Sequence, residues 1–302
     1  MMQSIPRVSI GMPVYNGGQF LEQALDSILA QDFTDFELII SDNASTDDTE
    51  SICRRYSTRD GRIRYYRNKQ NMGAAWNYNR LVELGRGQYF RWAAHDDIWA
   101  PRNLGRCVET LDLGGDRIVL AYPKTILIDQ HGSVLGPHED NLDLRQAKPH
   151  QRLRAALHRY GLCNPVFGLI RMSALRQTRL FGNYNASDTV LLGELSMLGE
   201  FREIAERLFL RRYHGGMSCL ANRTLADRAV WFDPANKGRL GHVFFVLRMF
   251  IEHLRGVRAL PLDPLTKLKC YSVTTAYWLL RWKGIGGDFK RAAKALLAID
   301  PV

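Results

Sequence analysis

Short apolar runs alternate with amphipathic segments along the first third of the chain. Runs bounded by polar turns predict four buried strands, at 8–16, 36–40, 63–67 and 89–94. Four helices are predicted between these strands and after the last. Apolar residues at helical spacing place three of them at 20–29, 74–84 and 101–111, and the fourth begins after Ser45 or Thr46, either of which can cap it. This alternation with short connections predicts an α/β fold with a mostly parallel sheet covered by helices on both faces.

The pattern changes after residue 97. Apolar runs at 119–128 and 134–135 flank a turn with Gly132 and predict a hairpin. Further strands are predicted at 166–171 and 204–213, and further helices at 153–160 and 188–198. From residue 240 the spacing predicts two helices flanking the Pro261/Pro264 break and a basic helix at 289–297. We therefore predict one domain at 1–236 and a helical extension at 237–302.

Polar residues stand where the first four predicted strands end. In open α/β sheets, ligands bind at the carboxyl ends of the parallel strands. Those ends carry Tyr15-Asn16, Asp42-Asn43, Asn71 and Asp96-Asp97. A ligand site is therefore expected at this edge of the sheet.

Asp42 follows the second predicted strand. A carboxylate at that place can accept a hydrogen bond from a ring N–H of uracil, thymine or guanine. The neighbouring Ser41, Asn43 and Ser45 also suit an ordinary loop or helix-capping aspartate. We expect Asp42 to contact a base, with capping as the alternative.

Asp96 and Asp97 are adjacent carboxylates directly after a buried strand. They repel each other and resist burial unless a cation compensates them, and hard oxygen ligands suit Mg²⁺ or Mn²⁺. The alternative is a pair of solvated turn aspartates before a helix that begins near Pro101.

Two further residues could take part in chemistry. Asp188 begins a predicted helix and is the best-placed general base, with an ordinary N-cap as the alternative. His214 precedes Gly215-Gly216, where a flexible loop could bring its imidazole to a metal. The chain has eight histidines, so a histidine without a catalytic role is the alternative for His214.

Composition narrows the class of protein. A chain of 302 residues with 46% hydrophobic content can fill a core, which excludes a disordered or fibrous protein. Residues 1–6 lack signal-peptide features, and Arg248 and Arg281 interrupt the longest apolar stretches. The five cysteines include no C-x-x-C pair, which predicts reduced thiols. We expect a cytoplasmic protein, soluble or peripheral on the inner face of the membrane.

The net charge of +10 is concentrated in the C-terminal extension. Residues 237–302 hold twelve Lys or Arg against four Asp or Glu, a surplus of eight. Aromatic residues such as Trp278, Trp282 and Phe289 lie among these bases, a combination that suits an anionic membrane surface. A packed helical cap with a solvated basic face explains the same residues. The extension has no recognised nucleic-acid motif, so no nucleic-acid partner is predicted.

Several segments, taken in order, resemble the family-2 inverting glycosyltransferases with the GT-A fold. They are P-x-Y-N at 13–16, L-x-S-I-L-x-Q at 25–31, FELIISDNAS-x-D at 36–47, N-x-G at 71–73, Asn79 and DD-x-W-x-P at 96–101. The resemblance covers 8–101 closely and 119–217 more loosely. It implies a GT-A-type sheet and transfer of a sugar from a nucleoside-diphosphate sugar.

The resemblance also implies roles for individual residues. Pro13, Tyr15 and Asn16 would line the nucleotide, and Asp42 would bind its nucleobase. Asn71 and Gly73 would lie along the ribose and diphosphate. Asp96 and Asp97 would bind the metal and the sugar diphosphate, and Asp188 would be the general base. Two departures stand out: Ala94 replaces the first aspartate of the D-x-D metal motif, and Ser187 replaces a glutamate before the catalytic aspartate.

In the predicted reaction, Asp188 deprotonates an acceptor hydroxyl, which attacks the anomeric carbon and inverts its configuration. Mn²⁺ or Mg²⁺ would be bound by Asp96, Asp97 and His214. The donor would be a UDP-, dTDP- or GDP-sugar, and the acceptor a hydroxyl of a glycan, lipid-linked glycan or glycolipid. One rival is a nucleotidyltransferase, although residues 16–19 lack the basic phosphate loop it needs. The other is a non-catalytic sugar-nucleotide-binding protein.

Overall fold

The computed structural model describes residues 5–239 and 243–297. Within them the strands are β1 (Val8–Val14), β2 (Phe36–Asp42), β3 (Ile63–Arg67), β4 (Tyr89–Trp92), β5 (Ile98–Trp99), β6 (Ile118–Ile128), β7 (Val134–His138), β8 (Leu169–Arg171) and β9 (Glu200–Arg212). The helices are α1 (Leu21–Leu29), α2 (Thr49–Arg59), α3 (Ala74–Leu84), α4 (Asn103–Gly114), α5 (Pro149–Arg159), α6 (Met172–Leu175), α7 (Ser187–Leu198), α8 (Ser218–Ala221), α9 (Leu225–Phe232), α10 (Phe245–Ala259), α11 (Pro264–Leu279) and α12 (Trp282–Leu297).

The strands form one sheet in the order β3-β2-β1-β4-β8-β6-β9-β5, with β7 paired to the edge of β6. The first four are parallel, and Val8 of β1 lies opposite Phe36 of β2 and Tyr89 of β4. Beyond β4 the pairings are antiparallel except for β6 with β9. The α/β prediction is confirmed, and the parallel arrangement is continuous in the half of the sheet that the N-terminal segments build.

Helices cover both faces of this sheet. All seven residues of β1 and all seven of β2 are buried, as expected for strands covered on both sides. One core cluster joins β1 to α1, α2 and α4, for example through Ile10, Leu25 and Val108. The other joins β2 and β4 to α3, α5 and α7, for example through Ile39 and Leu191. The predicted two-sided cover is confirmed.

The predicted cap of the second helix is wrong. Helix α2 begins at Thr49, with Asp48 as the preceding residue. Ser45 accepts a hydrogen bond from the Asn16 N–H at 2.9 Å, and the Thr46 N–H donates to Asn16 Oδ1 at 2.9 Å. Both residues therefore tie the loop after β2 to the loop after β1 and do not start the helix.

The predicted hairpin is present as β6 and β7, with Gly132 at a φ of 87° in the turn. In the C-terminal extension, α10 and α11 flank the proline break as predicted, whereas α12 begins at Trp282, before the predicted 289. Residues 240–242 and 298–302 of the extension lie outside the described residues. The boundary at 236/237 stays a prediction.

Helices α10 and α11 pack on α5 and α7. A cluster that includes Leu153, Leu157 and Met197 of the first domain with Val257 and Cys270 of the extension carries this contact. An ion-pair network adds to it, because Arg179 Nε lies 2.7 Å from Glu194 of α7 and Arg179 Nη1 lies 2.8 Å from Glu252 of α10. Since both carboxylates are buried, removing Arg179 would leave two buried charges without this partner.

The cysteine prediction agrees with the structure where it can be compared. Cys53, Cys107, Cys163 and Cys270 are buried and free; nothing is described for the side chain of Cys219. Among the described helices, none combines the length and the apolar character that crossing a membrane requires.

Candidate functional site

Loops at the carboxyl ends of β1, β2 and β4 and residues at the end of β9 surround an open cavity of about 1250 Å³, called here the first cavity. Residues that line it include Pro13, Tyr15, Asn16, Asn43, Asn71, Asn77, Tyr78, Asp96, Asp97, Arg211, Arg212, His214 and Trp231. The strand-end residues that the sequence singled out are therefore brought together, with the exceptions of Asp42 and Gly73.

The loop after β1 is held by the loop after β2. Besides the contacts of Asn16, the Gly17 N–H donates to Thr49 Oγ1 at 2.9 Å. A Cβ at Gly17 would lie 2.7 Å from the ring of His95. Only glycine therefore lets this loop pass so close to the segment that carries Asp96.

Asn43, not Asp42, faces the first cavity from the end of β2. Its Nδ2 donates to Asn71 Oδ1 at 2.8 Å, and its Oδ1 accepts from the Met72 N–H at 2.9 Å. These bonds hold the loop after β3 beside the cavity. Gly73 ends that loop with a φ of 84°, and a Cβ there would lie 2.5 Å from the Phe232 carbonyl oxygen. Gly73 thus lets the loop after β3 pack closely against α9, beside the first cavity.

The structure places Asp42 away from the first cavity. Its side chain is 0% exposed and does not line either cavity described here. One carboxylate oxygen accepts from the Ser45 N–H at 2.8 Å and the other from the Tyr65 hydroxyl at 2.8 Å, with Arg67 Nε at 3.3 Å. Asp42 therefore ties the end of β2 to the following loop and to β3. This outcome is close to the capping alternative.

Asp96 and His214 meet across the first cavity, with His214 Nε2 at 2.8 Å from Asp96 Oδ2. The Gly216 N–H lies 3.3 Å from His214 Nδ1, the other ring nitrogen. Burial would raise the pKa of Asp96, but the hydrogen bond from His214 and the charge of His95 outweigh it and lower that pKa.

Asp97 lies deeper. It is 5% exposed, and its Oδ1 accepts from the Arg212 N–H at 2.9 Å. Burial, followed by the neighbouring charge of Asp96, raises the pKa of Asp97. Arg212 is fully buried, and its guanidinium donates hydrogen bonds to the Asp96 carbonyl at 2.8 Å and to Gln23 Oε1 at 2.7 Å. Arg212 therefore fixes the backbone that carries both aspartates.

The donor set suits a divalent ion in part. Cis ligands about 2.1 Å from an octahedral ion lie about 3 Å apart, close to the separation of Asp96 Oδ2 and His214 Nε2. Within residues 5–239 and 243–297, however, no three acidic, histidine or cysteine side chains are grouped to hold a metal. An ion at this pair would need further oxygen ligands from a bound molecule or water.

Asp188 lies in a second cavity, of about 320 Å³, at the start of α7. Its carboxylate accepts from the Thr189 N–H at 2.9 Å. Burial raises the pKa of Asp188, and the Thr189 N–H and the Arg211 charge offset this only partly. A carboxylate with a raised pKa in a cavity is suited to accept a proton from a substrate.

The two cavities adjoin. Four residues line both and form what we call the seam: Tyr78, Phe167, Arg211 and Trp231. The Arg211 guanidinium is anchored by the Leu162 carbonyl at 3.1 Å and by Asn164 Oδ1. Its charge offsets part of the rise that burial causes in the pKa of Asp97 and of Asp188, so it lies within electrostatic reach of each.

Sequence reasoning missed the seam and the role of Asn43. Asn43 directly follows Asp42 at the end of the same strand, and the pattern does not distinguish the two. For Arg211, the one feature of the sequence that could have indicated a role in the site is its position beside Arg212 at a strand end. Tyr78 and Trp231 lie in amphipathic helices, where an aromatic residue is typical of the core.

Similarity to known proteins agrees with this geometry. Residues 9–177 match the model of the family described as glycosyl transferase family 2. An uncharacterized glycosyltransferase of Rickettsia typhi is 35% identical over 125 residues, which is 41% of this chain and 38% of that protein. The match thus spans well under half the length of that relative.

Solved structures share the fold. S. aureus TarS 1–349 in complex with UDP-GlcNAc superposes with a TM-score of 0.65 at 13% identity, over 90% of this chain and 72% of that chain. The mannosyltransferase PcManGT from Pyrobaculum calidifontis in complex with GDP-Man and Mn²⁺ gives 0.54 at 15% identity, over 98% and 76%. The GT-A fold is confirmed, and with a family model matched over more than half its length the chain belongs to glycosyl transferase family 2.

Proposed function

We propose that this chain transfers a sugar from a nucleoside-diphosphate sugar to an acceptor hydroxyl with inversion at the anomeric carbon. The observation that carries the proposal is the junction of two cavities. The first has the polar strand-end residues that suit a nucleotide, and the second holds the buried carboxylate of Asp188. A donor and an acceptor bound in adjoining cavities would meet at the seam.

The first cavity is proposed as the donor site. Pro13, Tyr15, Asn16 and Asn71 line it, and Gly73 shapes its wall. Structural neighbours in complex with UDP-GlcNAc and with GDP-Man support a nucleoside-diphosphate donor, here a UDP-, dTDP- or GDP-sugar. Since Asp42 is buried and bonded to Ser45 and Tyr65, no contact with the nucleobase is proposed for it.

Asp96 and His214, with Asp97 behind them, are proposed to hold Mn²⁺ or Mg²⁺. The ion would compensate the carboxylates and the negative charge of the diphosphate. The neighbour in complex with Mn²⁺ supports the same assignment. Asp96, which lines the first cavity, is also proposed to contact the sugar diphosphate.

Asp188 is proposed as the general base. The acceptor oxygen forms a bond to the anomeric carbon while its proton passes to the Asp188 carboxylate. The bond from that carbon to the diphosphate oxygen breaks, and its electron pair leaves with the diphosphate. Attack opposite the leaving group inverts the configuration, so no covalent enzyme intermediate is required.

Ligand-dependent thermal shifts test the donor site. UDP, dTDP and GDP, with and without Mn²⁺, should include at least one nucleotide that raises the melting temperature more with Mn²⁺ than in EDTA. The matching nucleotide sugar should then be consumed, slowly by water or faster with an acceptor. Binding without any turnover would favour the non-catalytic alternative, and pyrophosphate release from a nucleoside triphosphate and a sugar phosphate would favour the nucleotidyltransferase.

The C-terminal extension is proposed to bind an anionic membrane surface on the cytoplasmic side. Leu279, Leu280 and Trp282 are exposed where α11 meets α12, with Leu280 at 79% and Trp282 at 63%. Exposed bases flank them, and between 264 and 291 the one acidic residue, Asp288, is buried. Exposed apolar side chains among bases suit an anionic bilayer, and the acceptor would then be a lipid-linked glycan or glycolipid.

Vesicle flotation tests this surface. The full chain should float with anionic vesicles but not with neutral ones, and salt should release it. The double variant L280S/W282S should lose flotation, whereas L113S, which removes another exposed leucine from α4, should not. Failure of the unaltered chain to float at low salt would leave the extension as a packed cap and favour a soluble acceptor.

A further inference from the structure

The second cavity has an unusual lining for its size. Aromatic side chains contribute much of its wall, namely Tyr78, Phe167, Phe181, Trp231 and Phe232. Its volume of about 320 Å³ is at the small end of ligand cavities. It could therefore enclose one small ring against aromatic faces, while the remainder of a longer acceptor would extend outside.

Charge distinguishes this cavity further. Two guanidinium groups, from Arg211 and Arg228, line it together with a single carboxylate, that of Asp188. Arg211 belongs to the seam, where its charge acts on Asp97 and Asp188. Arg228 contributes the second cation of the lining.

Arg228 is held in position by its helix. Helix α9 starts with a reciprocal cap, in which the Thr224 hydroxyl accepts from the Asp227 N–H at 3.0 Å and Asp227 accepts from the Thr224 N–H at 3.1 Å. Arg228 Nε donates to the Asn222 carbonyl at 2.9 Å, and the side chain is half-buried. The same helix places Trp231 at the seam.

Resting on the proposed function, we propose that the second cavity is the acceptor subsite and that it takes a single sugar or polyol unit bearing an acid group, which Arg228 binds. A guanidinium beside aromatic walls recognises a carboxylate or phosphate strongly, because it offers several N–H donors in one plane. The acid group would be the carboxylate of a uronic acid or a phosphate next to the reacting hydroxyl.

Matched neutral and acidic acceptors test the proposal in the full chain with a bound nucleoside diphosphate and Mn²⁺. The pairs are methyl glucoside and methyl glucuronide, methyl galactoside and methyl galacturonide, and glycerol and glycerol 3-phosphate. Binding is followed by saturation-transfer NMR. At least one acidic member should bind about tenfold more tightly than its neutral partner. The uronides and the glycerol phosphate separate the two sources of the acid group.

Three variants complete the design. R228Q should reduce that preference to about twofold or less, and R228K should restore part of it because it keeps the charge. R223Q is the matched control, since Arg223 is exposed in the same segment and lines neither cavity. Nucleoside-diphosphate affinity should stay unchanged in all three.

Equal binding of neutral and acidic members, binding of neither, or an undiminished preference in R228Q would overturn the acceptor proposal. Each of these results is distinct from failure of the proposed function. That failure would appear earlier, as the absence of nucleoside-diphosphate binding in the unaltered chain.

Discussion

The two cavities are built in different ways. In the first, the loops that follow β1, β2 and β3 lie within about sixty residues of one another, and side-chain bonds such as Asn43 to Asn71 hold them together. Residues 94–97 and several between 211 and 238 complete its lining. The second is assembled from 75–78, 161–167, 181–189, Arg211 and 228–232, which are far apart in the chain. Each cavity holds a carboxylate whose pKa is raised by burial, Asp97 in one and Asp188 in the other.

This difference implies a division of work. The first cavity is lined by polar and charged strand-end groups and should determine donor and metal binding. The second has five aromatic and three charged residues in its lining and should determine proton transfer and the choice of acceptor. Variants in one cavity should therefore leave the measured property of the other largely unchanged.

The largest expected effect comes from D188N, which keeps the size of the side chain but removes the proton acceptor. The rate of sugar transfer at saturating donor should fall by about 10²–10⁴-fold, with donor affinity near that of the unaltered enzyme. Steady-state kinetics and calorimetry provide the two measurements, and D116N, on a fully exposed aspartate, is the control. A transfer rate equal to that of the unaltered enzyme would require another base, and Glu194 on the same helix would be examined next.

Metal-dependent donor binding should respond next most strongly. D96A and H214A should each weaken nucleoside-diphosphate affinity in Mn²⁺ by about a hundredfold and have little effect in EDTA. H131A, on the exposed hairpin turn, should bind as the unaltered chain does. Equal losses with and without Mn²⁺ would indicate that these side chains shape the cavity and do not hold an ion.

The pH dependence of transfer should show the proposed base. Because burial raises the pKa of Asp188, its carboxylate becomes protonated at a higher pH than an exposed aspartate. At saturating donor and metal, the transfer rate should therefore fall about tenfold per pH unit once the pH drops below that raised pKa. A rate that stays flat down to the usual pKa of an aspartate would contradict a proton acceptor buried in the second cavity.

The smallest effect on function is expected for D42A. Since Asp42 bonds Ser45, Tyr65 and Arg67, its loss should lower the free energy of unfolding by about 3 kcal/mol. The order of affinities among UDP, dTDP, GDP and CDP should be kept, because the side chain does not reach the first cavity. Urea denaturation and nucleotide titrations measure the two quantities. Unchanged stability with a lost preference for UDP over CDP would restore the role in base binding.

The contrast between the cavities also explains what the sequence could predict. The strands and helices of 8–111 follow a regular alternation, so their places and the position of Asp96 and Asp97 after β4 could be predicted from local pattern. The pattern shows that Asp42 and Asn43 end a strand, but it does not show which of the two lines the first cavity, where the structure has Asn43. Arg228 and Trp231 could not be found, because their positions depend on how α9 packs across segments distant in sequence.

The ion-pair network of Arg179 determines where the chain can be shortened or joined to another protein. Arg179 lies in the first domain, yet it bonds Glu194 on the helix that begins next to Asp188 and Glu252 in the extension. A chain shortened at residue 236 would keep Arg179 and Glu194 but lose Glu252 and the apolar cover of α5 and α7. A chimera that exchanges the segment with Trp282 should therefore retain both α10 and α11, since Cys270 of α11 also belongs to that cover, and join the foreign sequence after Leu279. For recombination, the useful module boundary is thus inside the extension and not at its start.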